Sequence, residues 1–173
     1  YDFALEGAVR DAVGISFDEV PGDLTRGEVQ SLPGLTAVGK GIADLRGLEA
    51  LMGLLSLNVS GNEIVDVTPL AGLVRLTLLS MARNQIDDVA PLADLAALTF
   101  LNVDDNRILD VAPLAGLARL TSLRAERNQI RDISPLVALP VLKVLALTGN
   151  PLNEVSRDVH VPALRQRGVR VDF

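Results

Sequence analysis

The 173-residue sequence contains no cysteine and no tryptophan, one tyrosine, four phenylalanines and a single histidine. Without cysteine there are no disulfides, thiolate metal sites or cysteine nucleophiles. An aromatic content of 3% argues against a globule packed around large rings. The lone histidine, His160, has no partner motif: G-x-S-x-G, H-E-x-x-H and a glycine-rich phosphate loop are all missing. The chain therefore offers no nucleophile with its base, and we expect no catalytic activity and no cofactor. No apolar run approaches the roughly 18 residues of a membrane span, so no membrane insertion is expected. The formal charge is −6, and no basic face is concentrated enough for phosphate, which speaks against a nucleic-acid partner. Residues 1–31 hold seven acidic and two basic side chains and so carry about −5 of that charge. The chain starts at Tyr1 rather than Met. It reads as a processed protein or an excised domain, with any signal or anchor outside the sequence.

What is abundant is leucine, with 31 copies, and it is periodic. Asn62, Asn84, Asn106, Asn128 and Asn150 recur every 22 residues. Eleven, eight and five positions before each Asn stands Leu, as in Leu95, Leu98 and Leu101. Two positions after come Ile64, Ile86, Ile108, Ile130 and Leu152. Four after come Asp66, Asp88, Asp110, Asp132 and Glu154, and seven after come Pro69, Pro91, Pro113 and Pro135. A weaker copy with Lys40 in the Asn place precedes these, so residues 29–160 read as six repeats.

One 22-residue unit cannot bury its own apolar side, but stacked units bury a continuous core between neighbours. The expected fold is an α/β repeat solenoid. Alternation in Leu57-Asn58-Val59 or Leu101-Asn102-Val103 predicts a short strand in each repeat, and six such strands predict a parallel sheet. The recurring Asn falls where the chain turns away, and its amide can satisfy backbone groups of adjacent coils, forming a ladder. The Asp-x-x-Pro-Leu run suits a helical turn on the opposite, convex side, with Asp as a cap and Pro in the first turn.

A solenoid has two open ends to cover. Phe3, Leu5, Ala8, Val9, Ala12 and Val13 fall at helical spacing, and Gly14 ends that run. A second helix is expected from Thr25, with Glu28 completing a capping box, after the loop Asp18–Asp23. At the other end, Ser156–Gly168 is expected to be a helix bearing Val159, Val161 and Leu164, and Val169-Arg170-Val171 to add an edge strand. The organisation is thus one domain: a helical cap over 1–28, repeats over 29–160 and a closing segment over 156–173.

Outward-facing positions lie six, four, two and one residues before each Asn. At the ends of this grid they are small. In the middle stand Leu78 and Phe100 on adjacent strands, Ser80 and Asn102 beside them, and Arg83, Asp104, Asp105, Arg124, Glu126 and Arg127 around them. An apolar anchor inside a polar rim is the anatomy of a protein contact. The alternative is a solvated face whose charges pair across strands. Calcium needs six to eight oxygens, and Asp104-Asp105-Asn106 does not supply them, so no metal is expected.

The unit L-x-x-L-x-x-L-x-L-x-x-N-x-I-x-D-[VI]-x-P-L resembles the 22-residue leucine-rich repeat of the bacterial internalin type over residues 29–155. Phe3–Gly14 is similar to the helical N-terminal cap of that class. Gly149–Ser156 and Val161–Val171 resemble its closing segment, in which His160 stands where an aromatic is common and reads as cap packing. The resemblance implies a leucine-rich-repeat horseshoe, a secreted or surface-exposed location, and recognition of a protein partner on the concave face; the chain is expected to be monomeric. A structural spacer within a larger surface protein, with no ligand of its own, is the alternative. A third possibility is an intracellular scaffold of the related eukaryotic 22-residue class, against which the bacterial-type ends argue.

Overall fold

The computed structural model describes residues 2–13 and 32–173. Helix α1 (Phe3–Val13) is followed by six strands, one per repeat: β1 (Gly34–Thr36), β2 (Ser56–Asn58), β3 (Leu78–Ser80), β4 (Phe100–Asn102), β5 (Ser122–Arg124) and β6 (Val144–Ala146). After helix α2 (Val161–Gln166) the chain adds β7 (Arg170–Asp172). The seven strands form one open parallel sheet in sequence order, the concave face of a horseshoe solenoid. The register advances by 22 residues at each of the first five steps, as in Leu79 beside Leu101 and Leu101 beside Leu123. The Thr25 helix, its capping box and the Asp18–Asp23 loop lie outside the described residues.

The repeat explains each part of a coil. The central strand leucine points inward, as do the two leucines before it and the Ile after the Asn, and together they line one continuous core. Each buried leucine contributes about 1.5–3 kcal/mol relative to exposure. The strands are only three residues long because the chain must turn twice within 22 residues. On the convex side the turns are short 3-10 helices at Thr68–Leu70, Ala90–Leu92, Ala112–Gly116 and Ser134–Leu136. Each is opened by the repeat's Asp, whose Oδ1 accepts a backbone N–H two residues on: Asp66 from Thr68 at 2.8 Å, Asp88 from Ala90 at 2.7 Å, Asp110 from Ala112 at 2.8 Å and Asp132 from Ser134 at 2.8 Å. Proline sits in the first turn of each, where its missing N–H leaves no hydrogen bond unmade.

The asparagines form the second set of cross-links. The Oδ1 of Asn106 accepts the N–H of Ile86 at 3.0 Å, one coil back. Its Nδ2 donates to Met81 O at 2.9 Å and Val103 O at 3.1 Å. Asn62, Asn84, Asn128 and Asn150 make corresponding bonds, with Ile42, Ile64, Ile108 and Ile130 as donors. These groups sit where the strand ladder has ended, so the amides satisfy backbone polar atoms that would otherwise be buried unpaired.

Both ends are tied down by side chains. At the start, Asp2 Oδ1 accepts Leu5 N–H at 3.0 Å and caps α1. Its Oδ2 accepts the N–H groups of Ala43 at 2.8 Å and Asp44 at 3.2 Å in the first coil. Leu5, Ala8 and Val9 face the core, whereas Phe3, expected on that face, is 76% exposed. One turn at the helix start places Phe3 on the side opposite Leu5. At the far end a π-helical turn, Ser156–His160, precedes α2. Its wider turn, with more residues per revolution, shifts the phase, so Ser156, Val161 and Leu164 are buried and Val159, expected inward, is 57% exposed. His160 Nδ1 is shielded from solvent, makes no hydrogen bond, and lies 4.0 Å from Asp132 Oδ1. Two arginines of the closing segment cover backbone carbonyls: Arg167 those of Val137 and Leu139, and Arg165 that of Val171 on the outer edge of β7 at 2.8 Å. Arg165 also lies over the Phe173 ring, 5.1 Å from its centroid.

Several of these carboxylates titrate low. Burial works to raise the pKa of Asp2, but the backbone donors of Ala43, Leu5 and Asp44 outweigh it and hold the group below its ordinary value. Asp132 is lowered by the Ser134 backbone and hydroxyl, and Asp44 is brought down to about 2 by Arg46. A depressed folded-state pKa stabilises the fold above the ordinary carboxylate value of 3.8, and this stability is lost as pH falls through the folded pKa. Urea midpoints should therefore hold nearly level from pH 7 to 5 and drop between about pH 4 and 2. Asp2→Ala should lower the neutral-pH unfolding free energy by about 1–2 kcal/mol and flatten part of that drop, read by circular dichroism in urea.

Candidate functional site

Strand register places the sequence-predicted residues together on the middle of the concave face. Leu78 is beside Phe100, Ser80 beside Asn102, and Asn102 beside Arg124. Leu78 is 46% exposed and Phe100 is half-buried. The residues that share their column on the flanking strands are Ser56 and Ser122. The two large apolar groups therefore stand alone among small ones, with the hydroxyls of Ser60 and Ser80 bonded to each other at 2.8 Å nearby.

The charged residues form one connected network. Arg124 Nε bonds Asp104 Oδ2 at 2.9 Å, and Arg124 Nη2 lies 3.7 Å from Glu126 Oε1. Arg127 takes both oxygens of Asp105, at 2.5 and 2.8 Å, and its Nη1 reaches Glu126 Oε2 at 2.9 Å. The hydrogen bond to Asp104 raises the Arg124 pKa, the bonds to Asp105 and Glu126 raise that of Arg127, and the Arg127 bond lowers that of Asp105. One residue departs from the expected rim. Asp104 is only 5% exposed, because Arg124 covers it and its Oδ1 accepts the Glu126 N–H at 2.7 Å. It holds two coils together and supports Arg124 rather than facing a partner. The two adjacent aspartates thus diverge, one beneath Arg124 and the other against Arg127. Among the described residues no group of three or more acidic or imidazole side chains is arranged to hold a metal ion.

The structure adds a feature that composition alone did not reveal. The residue before each ladder Asn adopts a left-handed backbone conformation: Gly39 at φ 64°, Gly61 at 71°, Arg83 at 57°, Asp105 at 55°, Arg127 at 50° and Gly149 at 81°. Lys40 stands in the Asn place after Gly39. For a residue with a Cβ this region costs roughly 1–2 kcal/mol, which aspartate partly avoids. The ends of the solenoid use glycine there, and the middle three coils use charged side chains. Gly149 also makes room, since a Cβ on it would come within 2.9 Å of Arg127 Cγ. The signal was present in the sequence as a column reading Gly, Gly, Arg, Asp, Arg, Gly, but its meaning depends on the backbone angle.

No helix among the described residues is long and apolar enough to cross a membrane. No family model matches the sequence, and no curated protein matches it. Solved structures do. Internalin F from Listeria monocytogenes superposes with a TM-score of 0.80 and 26% identity over 99% of this chain, which spans 55% of that structure's length. Internalin C2 from the same organism gives a TM-score of 0.59 at 30% identity, covering 99% of this chain and 92% of its own. A leucine-rich-repeat protein of Leptospira interrogans gives 0.74 at 21% identity over 84% of this chain and 38% of its own, a likeness of fold alone.

Proposed function

The chain belongs to the internalin-type family of leucine-rich-repeat proteins, and from that premise we propose that it is a non-catalytic protein-binding module, secreted or displayed on a bacterial surface, that holds its partner on the concave sheet. The observation that carries this reading is the Leu78–Phe100 pair: two large apolar side chains on adjacent strands, one nearly half exposed, with serines at the same column on either side. Solvent exposure of that pair has no structural return within the chain. Burial under a partner would remove it from water and leave the arginine–carboxylate network as the rim. Asp104, Arg124, Glu126, Asp105 and Arg127 then hold the rim rigid, which lowers the entropy lost on binding.

The double variant Leu78→Ser, Phe100→Ser tests the reading, because serine already occupies this column in β2 and β5 and the fold should be retained. Native and variant chains, matched by circular dichroism, would serve as baits for surface and secreted extracts. A protein captured by the native chain and lost with the variant is the expected result. Identical captures with both baits would move the function to the alternative, a rigid spacer with no ligand of its own.

A further inference from the structure

Arg83 is the outlier of the concave face. It occupies the left-handed position that glycine fills in the outer coils, at φ 57°. Asp105 and Arg127, the other two such residues with side chains, grip each other through two hydrogen bonds. Arg83 has no such return. Its side chain is 79% exposed, and its one ion pair is a 3.9 Å approach of Nε to Asp105, a carboxylate whose two oxygens Arg127 already holds. A strained backbone position whose side chain makes only one long, exposed ion pair points to a use outside the chain. The surroundings narrow that use. Asp104, Asp105 and Glu126 are all taken by Arg124 and Arg127, so a basic partner would have to break internal pairs. An acidic one meets the one guanidinium of the patch that makes no hydrogen bond.

Resting on the concave-face reading above, we infer that the partner presents a protein segment with an apolar side chain for Leu78 and Phe100 and a carboxylate for Arg83. Leu78 and Arg83 are five residues apart along a nearly extended chain, roughly 13–16 Å at about 3.3 Å per residue. Only Ser80 and Ala82 lie outward between them, so the path is unobstructed. An extended segment would span it with four or five residues, and the guanidinium fork would take the carboxylate through paired hydrogen bonds.

The test is selection of a phage-displayed library of random 12-residue peptides on the native chain, followed by titration of the enriched peptides, made synthetically, against variants. The expected peptides carry Asp or Glu four or five positions from a large apolar residue. They should bind Arg83→Gly about 10- to 100-fold more weakly, the range for a charge-assisted contact, and Arg83→Lys with intermediate affinity. Arg83→Gly should melt no lower than the native chain, since three coils carry glycine there, so lost binding would not be lost folding. Enriched peptides without an acid, or bound equally by Arg83→Gly, overturn the inference. If those peptides are still lost with Leu78→Ser, Phe100→Ser, the concave-face reading survives. If nothing is enriched, or binding ignores both variants, both fall. Self-association of the native chain abolished by Arg83→Gly would make the occupant a second copy and also overturn the inference.

Discussion

Asn106→Ala should cost about 2–4 kcal/mol, the largest loss expected from any ladder asparagine. The side chain has four backbone partners: Ile86 N–H, Met81 O, Val103 O and Asp104 O. All four bonds are buried. Truncation strands the Ile86 N–H, worth about 1–3 kcal/mol in the interior, and removes one of two amide donors from Met81 O and from Val103 O, which keep Asn84 and Asn128. For a chain of this size the melting temperature should fall by roughly 10 °C. Asn106→Asp should be no better at neutral pH, because it loses both donors and sets a carboxylate against three carbonyls. Position matters as well. Asn106 sits in the middle of the stack, where stability depends on coupling between neighbouring coils. Asn150 makes the same kind of bonds at the closing end but is only partly buried, so water can replace them. Asn150→Ala should cost about 1–2 kcal/mol. Urea unfolding followed by circular dichroism decides the matter, and a loss under about 1 kcal/mol for Asn106→Ala would mean that water enters the coil and the ladder is dispensable.

The ladder was readable in the sequence because a 22-residue period repeats each contact. Five asparagines in phase with leucine, isoleucine, aspartate and proline columns identify position, direction and role together, since a coil copies the geometry of its neighbour. Where the period lapses, legibility drops. Phe3 and Val159 each occur once, and their direction depends on the start of α1 and on the π turn before α2, neither of which leaves a hydrophobic pattern. The candidate site is a departure from the repeat, and departures are visible as residues without being visible as geometry. Leu78, Phe100 and the charges stood out against serine and glycine in the flanking coils. That Asp104 is buried beneath Arg124 could not be read, because alternation alone puts both on the outward face. The left-handed angle at Arg83 was equally hidden, although the glycines of its column carried the hint.

Deleting residues 1–30 should make the chain self-associate. Leu5, Ala8 and Val9 of α1 lie in the same core cluster as Leu35 and Ile42 of the first coil, so their removal opens that coil's apolar side to water. Each large side chain exposed there forfeits about 1.5–3 kcal/mol. The deletion also removes the helix packed against β1, the first strand of the sheet, and an edge strand laid bare is suited to pairing with another chain. Charge works in the same direction: residues 1–30 hold seven acidic and two basic side chains, so removing their −5 takes the chain from −6 to −1. A chain near neutrality loses the repulsion that opposes aggregation. The two causes separate with Leu5→Asp, Val9→Asp in the full chain, which unseats the helix while making the charge −8 by adding two carboxylates to −6. If the apolar cover is what matters, this variant should melt several degrees lower and elute as a larger species despite its added charge. If it stays monomeric while the deletion aggregates, the acidic segment protects the chain through repulsion alone. A deletion that remains monomeric with an unchanged melting temperature would show that the first coil closes the solenoid by itself, and α1 would no longer count as a cap.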